Sequence, residues 1–158
     1  MDEREYQLEI ISQMAKNEIK LSELYAKYAH AFPTRREFWN DIAREEVSHS
    51  AWIDTLKKRV EEGFIQFSSD RFNMDLLNDF YKYVQAEELK ISEEMPLISA
   101  LVASKEIEET LLEKKFFEVF KGDAPELEIL LLALEYSTKN HREIVIKAWE
   151  EERKLIEA

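Results

Sequence analysis

Glu46 and His49, in the run Glu45-Glu46-Val47-Ser48-His49-Ser50-Ala51-Trp52, stand three residues apart in a stretch of helical periodicity. That spacing puts both on one helix face. At 100° per residue, positions seven before and seven after any residue lie within roughly 20° of it, and for Glu46 these are Trp39 and Ile53. The face is the apolar one. A carboxylate and an imidazole turned into a core are costly unless something satisfies both. A divalent or trivalent cation can do so, and so can a closed hydrogen-bond network that fixes helix register without metal.

The same test finds a polar residue in the apolar stripe of three other helical stretches. Glu18 falls between Ile11 and Tyr25, Glu109 between Val102 and Phe116, and Thr138 between Leu131 and Val145. Histidine follows three residues later in two of the four, as His49 and His141, where the others have Leu21 and Leu112. Twenty-eight residues separate Glu18 from Glu46 and twenty-nine separate Glu109 from Thr138, so the chain reads as two copies of one hairpin with polar residues at a common level. A carboxylate from each of two helices plus Glu-x-x-His from two more is the set that helical bundles use to hold paired metal ions. Glu106 and Glu113 lie within about 60° of Glu109, so the third helix could present its carboxylate a turn away. Glu135 stands at the edge of its stripe, and Tyr25 and Tyr28 flank the Glu18 level as core residues or as hydrogen-bond partners of the ligands. Trp39 and Trp149 read as core, Trp52 as pointing away from the Glu46 face, and His30 as a solvated helix end.

Four long helices and one shorter piece must position these residues. The first is expected over Asp2 to His30, with Ile11, Met14, Leu21, Tyr25, Tyr28 and Phe32 at helical spacing, stopping at Pro33. Thr34-Arg35-Arg36-Glu37 has the form of a capping box and opens a second helix, Arg35 to Glu62, closed by Gly63. A link from Phe64 to Asn73 leads to an amphipathic piece, Met74 to Lys90, whose Leu76, Leu77, Phe80, Tyr81 and Val84 cap the bundle or meet a partner chain. The third long helix begins near Ser92 to Pro96 and ends at Lys121 before Gly122. Asp123-Ala124-Pro125-Glu126 is a second capping box, opening a helix that runs almost to Ala158. Short links make antiparallel hairpins, and the long link is a crossover between them. The expected fold is all-α, an antiparallel four-helix bundle with an extra helix in its crossover, forming one domain over residues 1–158.

A net charge of −12 repels nucleic acid and attracts cations. The absence of cysteine excludes disulfides, thiolate metal sites and thiol nucleophiles. No charged-then-apolar leader opens the sequence and no apolar run approaches the roughly 20 residues of a membrane span, so a cytoplasmic protein with no membrane partner is expected.

Glu18 with Leu24-Tyr25-Ala26-Lys27-Tyr28, then Glu46-x-x-His49, Glu109 and His141 together resemble the ferritin-like superfamily, and within it the erythrin domain of the rubrerythrin family, over essentially the whole chain. The resemblance implies a ferritin-like bundle with iron in its core, or manganese or zinc, and oxidation of ferrous ion or reduction of peroxide as the reaction. Glu18 and Glu109 would be terminal ligands, Glu46 a bridging ligand paired with His49, and His141 the ligand beside Glu109. A homodimer is implied. Where Thr138 stands such proteins would have a second bridging glutamate, so the resemblance leaves open two ions, one ion at Glu18, Glu46 and His49, or a vestigial site whose scaffold acts by binding a protein or an organic ligand. Many rubrerythrins also have a cysteine-rich iron–sulfur domain; without those cysteines, a redox cycle would need an external electron donor.

Overall fold

The computed structural model describes residues 2–64, 74–113 and 125–158. The described residues form five α-helices: α1 (Glu3–Ala31), α2 (Arg36–Glu61), α3 (Met74–Leu89), α4 (Leu97–Glu113) and α5 (Pro125–Glu157). Among the described residues there is no strand, and the fold is all-α as the periodicity predicts. The expected end of the third helix at Lys121, the stop at Gly122 and most of the second capping box lie outside the described residues, as does the link from 65 to 73.

Local chemistry sets the ends of α1 and α2. The Asp2 carboxylate accepts a hydrogen bond from the Glu5 backbone N–H at 2.8 Å, which caps α1. The capping box expected at Thr34 does not form. Pro33, with its fixed φ, instead starts a short 3-10 turn, Pro33–Arg35, closed by the Arg35 N–H donating to the Phe32 carbonyl at 3.0 Å. Thr34 is held inside that turn, and α2 begins with no side-chain cap. At the other end of α2, Gly63 has φ 83, its N–H bonds the Val60 carbonyl at 3.1 Å, and the Phe64 N–H bonds the Arg59 carbonyl at 3.0 Å. This pair of bonds is a Schellman closure, which needs the left-handed conformation glycine adopts at no steric cost. Gly63→Ala is therefore expected to destabilise by about 1 kcal/mol, read from the urea midpoint, although a new Cβ would meet no atom there.

α1 packs along α2, α4 along α5, and α2 also touches α5. Ile11, Met14, Leu21, Tyr25, Tyr28 and Phe32, predicted to share the inner face of α1, are all buried. They join Trp39, Ile42 and Ile53 of α2, Leu101 and Ile107 of α4, and Leu134 and Val145 of α5 in one apolar cluster. Trp149 is only partly buried against that cluster. α3 lies on α1 of its own chain, with Leu77, Phe80 and Val84 buried and the Asn17 side-chain amide donating to the Leu77 carbonyl at 3.1 Å. Among the described residues no helix is long and apolar enough to cross a membrane.

Candidate metal centre

Four helices each place acid, imidazole or hydroxyl groups in the apolar cluster. α1 supplies Glu18, α2 supplies Glu46 and His49, α4 supplies Glu108, and α5 supplies Thr138 and His141; all are buried. Their ligand atoms form two overlapping triads, Glu18–Glu46–His49 and Glu46–Glu108–His141, each with its atoms within 4.8 Å of one another. These buried groups could hold a metal ion.

Glu46 belongs to both triads, and its two oxygens face different ways. Oε2 lies 3.2 Å from His49 Nδ1, and Oε1 lies 2.9 Å from His141 Nδ1. The two imidazoles stack with ring centroids 5.6 Å apart. On the outer side of the first triad, Glu18 Oε2 is 3.9 Å from His49 Nδ1; on that of the second, Glu108 Oε1 is 3.7 Å from His141 Nδ1. Glu18 Oε2, Glu108 Oε2 and His141 Nδ1 are buried without a well-aligned hydrogen-bond partner. Orphaned polar atoms in a protein interior are few and each is costly. Three of them converging on one cluster, all of metal-ligating type, fit a cation.

Charges in the metal-free protein are strongly displaced. Burial, then the neighbouring Glu46 carboxylate, holds the Glu18 carboxyl well above its usual range. Burial also pushes Glu108 up, against the pull of His141. For Glu46 burial opposes ionisation, but the Glu18, His141 and His49 groups drawn close around it together outweigh that and hold the carboxyl well below its usual range. Burial likewise disfavours charge on the imidazoles, yet Glu18 and Glu46 raise His49 to about 10, and Glu108 and Glu46 raise His141 to about 12. Without metal, these shifts favour an ionised Glu46 and a proton on each of the two imidazoles beside it.

The residues around the triads fix their rotamers. Tyr25 donates its hydroxyl to Glu108 Oε1 at 2.7 Å and accepts from the Ser104 hydroxyl at 3.1 Å. His49 Nε2 bonds the Ser137 hydroxyl at 2.8 Å, and His141 Nε2 bonds the half-exposed carboxylate of Glu45. Removing the tyrosine donor leaves Glu108 without its hydrogen bond, so Tyr25→Phe is expected to lower metal-free stability by about 1–3 kcal/mol. The melting curve in chelator checks this.

Of the residues singled out by spacing, Glu18, Glu46, His49 and His141 come together, and Glu109 does not. The Glu109 side chain is 38% exposed and pairs with Lys105 at 4.0 Å, whereas Glu108 is fully buried in the cluster. The inner face of α4 runs through Leu101, Ser104, Glu108 and Leu111, and Val102, one of the markers used to place Glu109, is exposed. Glu106 points outward to the Tyr83 hydroxyl, and Glu135 pairs with Lys139 at 2.9 Å, so neither enters the site. Thr138 is buried at the expected level, but its hydroxyl donates back to the Leu134 carbonyl at 2.9 Å. Trp52 does not point clear of the site, because its ring packs on His49 at 5.3 Å between centroids. His30 is exposed, as its helix-end position predicts.

Spacing alone did not single out Glu45, Ser137 and Ser104. Glu45 adjoins Glu46 and Ser137 adjoins Thr138, and each reaches the imidazole on the neighbouring helix from just beyond the stripe edge. Neither a protein-family model, nor a curated protein, nor a solved structure matches the chain, so its site is read from its own chemistry.

Proposed function

We propose that this is a ferritin-like metal-binding protein in which α1, α2, α4 and α5 form the four-helix bundle and α3 is the extra helix of its crossover. The bundle core would hold two ions of iron or manganese, with Glu46 shared between them. The observation that carries this reading is the orientation of Glu46, whose two carboxylate oxygens each face the Nδ1 of a different buried histidine. A carboxylate so placed can give one oxygen to each of two ions. Glu18 and His49 would complete one half, Glu108 and His141 the other.

Three carboxylates and two imidazoles, with no thiolate, suit iron and manganese, and zinc also binds such donors. A pair of redox-active ions in this set would supply electrons for reducing dioxygen or peroxide, with ferrous ion or an external donor as their source. The protein's own part is to hold the carboxylates and imidazoles in place. Tyr25 orients Glu108, Ser137 and Glu45 orient the two histidines, and burial within the apolar cluster keeps the site dry.

Metal content after anaerobic loading with ferrous iron and removal of loosely held ions tests the reading. Two ions per chain are expected, with a melting temperature raised above that in chelator. Peroxidase and ferroxidase assays on the loaded protein then address the reaction. No bound metal, and no shift in melting, would sink the proposal and favour a scaffold that acts by binding a protein or an organic ligand. The feature on that side is Thr138, which spends its hydroxyl on its own helix where a second bridging carboxylate would help hold two ions.

A further inference from the structure

The two halves of the site share Glu46 but differ in everything behind the ligands. His141 Nε2 is bonded to a carboxylate, Glu45, whereas His49 Nε2 is bonded to a neutral hydroxyl, Ser137, at 2.8 Å. A carboxylate behind an imidazole makes it a more basic ligand and fixes its ring; a serine does less of both.

The terminal carboxylates differ in the same sense. Glu108 is completely buried, and its Oε1 is held at 2.7 Å by Tyr25, itself backed by Ser104 at 3.1 Å. Glu18 is 8% exposed, and although each of the two carboxylates has a buried Oε2 without a well-aligned partner, it is Glu108 whose other oxygen is held by a hydroxyl. Preorganised ligands lose less freedom when an ion arrives. Basicity, orientation and burial therefore favour the same half.

We propose that the two half-sites are inequivalent and fill in order. Glu108, His141 and one oxygen of Glu46 take the first, firmly held ion, and Glu18, His49 and the other oxygen take a second ion that exchanges with solution. Glu45 and Ser137 are the positioning residues that set this order. The inference rests on the dinuclear reading above. It implies that at limiting metal the chain holds one ion in the α4–α5 half, and that the α1–α2 half is where an incoming ion would be received and released.

Trp52 supplies the readout, because its ring lies against His49, 5.3 Å between centroids. Metal-free protein is titrated with Co²⁺ alone, following bound cobalt by elemental analysis and the part of the tryptophan fluorescence that Trp52→Phe removes. The expected result is two resolved steps, with quenching of the Trp52 signal confined to the second. Glu45→Gln should weaken the first step by about 10–100-fold and leave the second in place, whereas Ser137→Ala should weaken only the second.

Quenching of Trp52 by the first ion, or two ions bound in one unresolved step, would overturn the order of filling while leaving the dinuclear reading intact. A Glu45→Gln effect confined to the second step would do the same. Failure to bind any cobalt would sink both.

Discussion

Replacing Glu46 is expected to remove both metal ions at once. Every other residue of the two triads belongs to one of them, but Glu46 belongs to both and turns a separate oxygen toward each. Glu46→Ala should therefore take bound iron from two per chain to none, whereas His49→Ala and His141→Ala should each leave one. The metal-free protein is also affected, because an ionised Glu46 beside two protonated imidazoles is favoured there. Breaking a buried ion pair by removing one partner typically costs about 3–5 kcal/mol, a large part of the stability of an ordinary domain. Because that loss is large enough to threaten folding of Glu46→Ala, Glu46→Gln serves as the second variant, keeping the volume and one acceptor oxygen. Elemental analysis of folded Glu46→Gln decides the matter. Retention of two ions would mean that Glu46 is no bridge.

How much of this was legible in the sequence differs from residue to residue. Glu18 and Glu46 are legible because their flanking positions, Ile11 and Tyr25 or Trp39 and Ile53, lie squarely on buried faces. His49 and His141 followed by spacing. Glu108 is hidden from the spacing test for a physical reason: seven residues beyond it stands Lys115, whose charge makes the position look like surface, while Glu109 has Val102 and Phe116 at the same distances. Exposed valines are common on helices, so one apolar marker misplaced the stripe by a residue. The Thr34 capping box failed because Pro33 gives the local backbone a competing way to begin, through a 3-10 turn. Glu45 and Ser137 act across helices rather than along one, and no single-helix periodicity contains that information. The succession of helices was readable because the chain has only two glycines and three prolines to interrupt them.

Protons and metal compete for the same atoms, so the stability that bound metal adds to the protein should grow with pH. His49 and His141 are raised from 6.5 to about 10 and about 12 by the carboxylates around them. A histidine raised on folding contributes stability that is fully present below its unfolded value and is lost as pH rises through its folded value. Metal-free protein should therefore become less stable from about pH 6.5 upward. Glu18, raised by burial, contributes in the same direction. Glu46 is depressed, so its contribution is present above 4.5 and is lost as pH falls through its folded value. Ions need the imidazoles neutral and the carboxylates ionised, so loading near pH 7 must displace a proton from each histidine, and affinity rises with pH. The expected result is a gap in melting temperature between loaded and chelated protein that widens steadily from pH 6 to pH 8, before hydroxide competes for the metal. Calorimetric loading in buffers of different ionisation enthalpy should show at least two protons released as both ions bind. A gap independent of pH, with no proton release, would mean that any bound metal sits away from His49 and His141, because neither imidazole can accept an ion while it holds its proton.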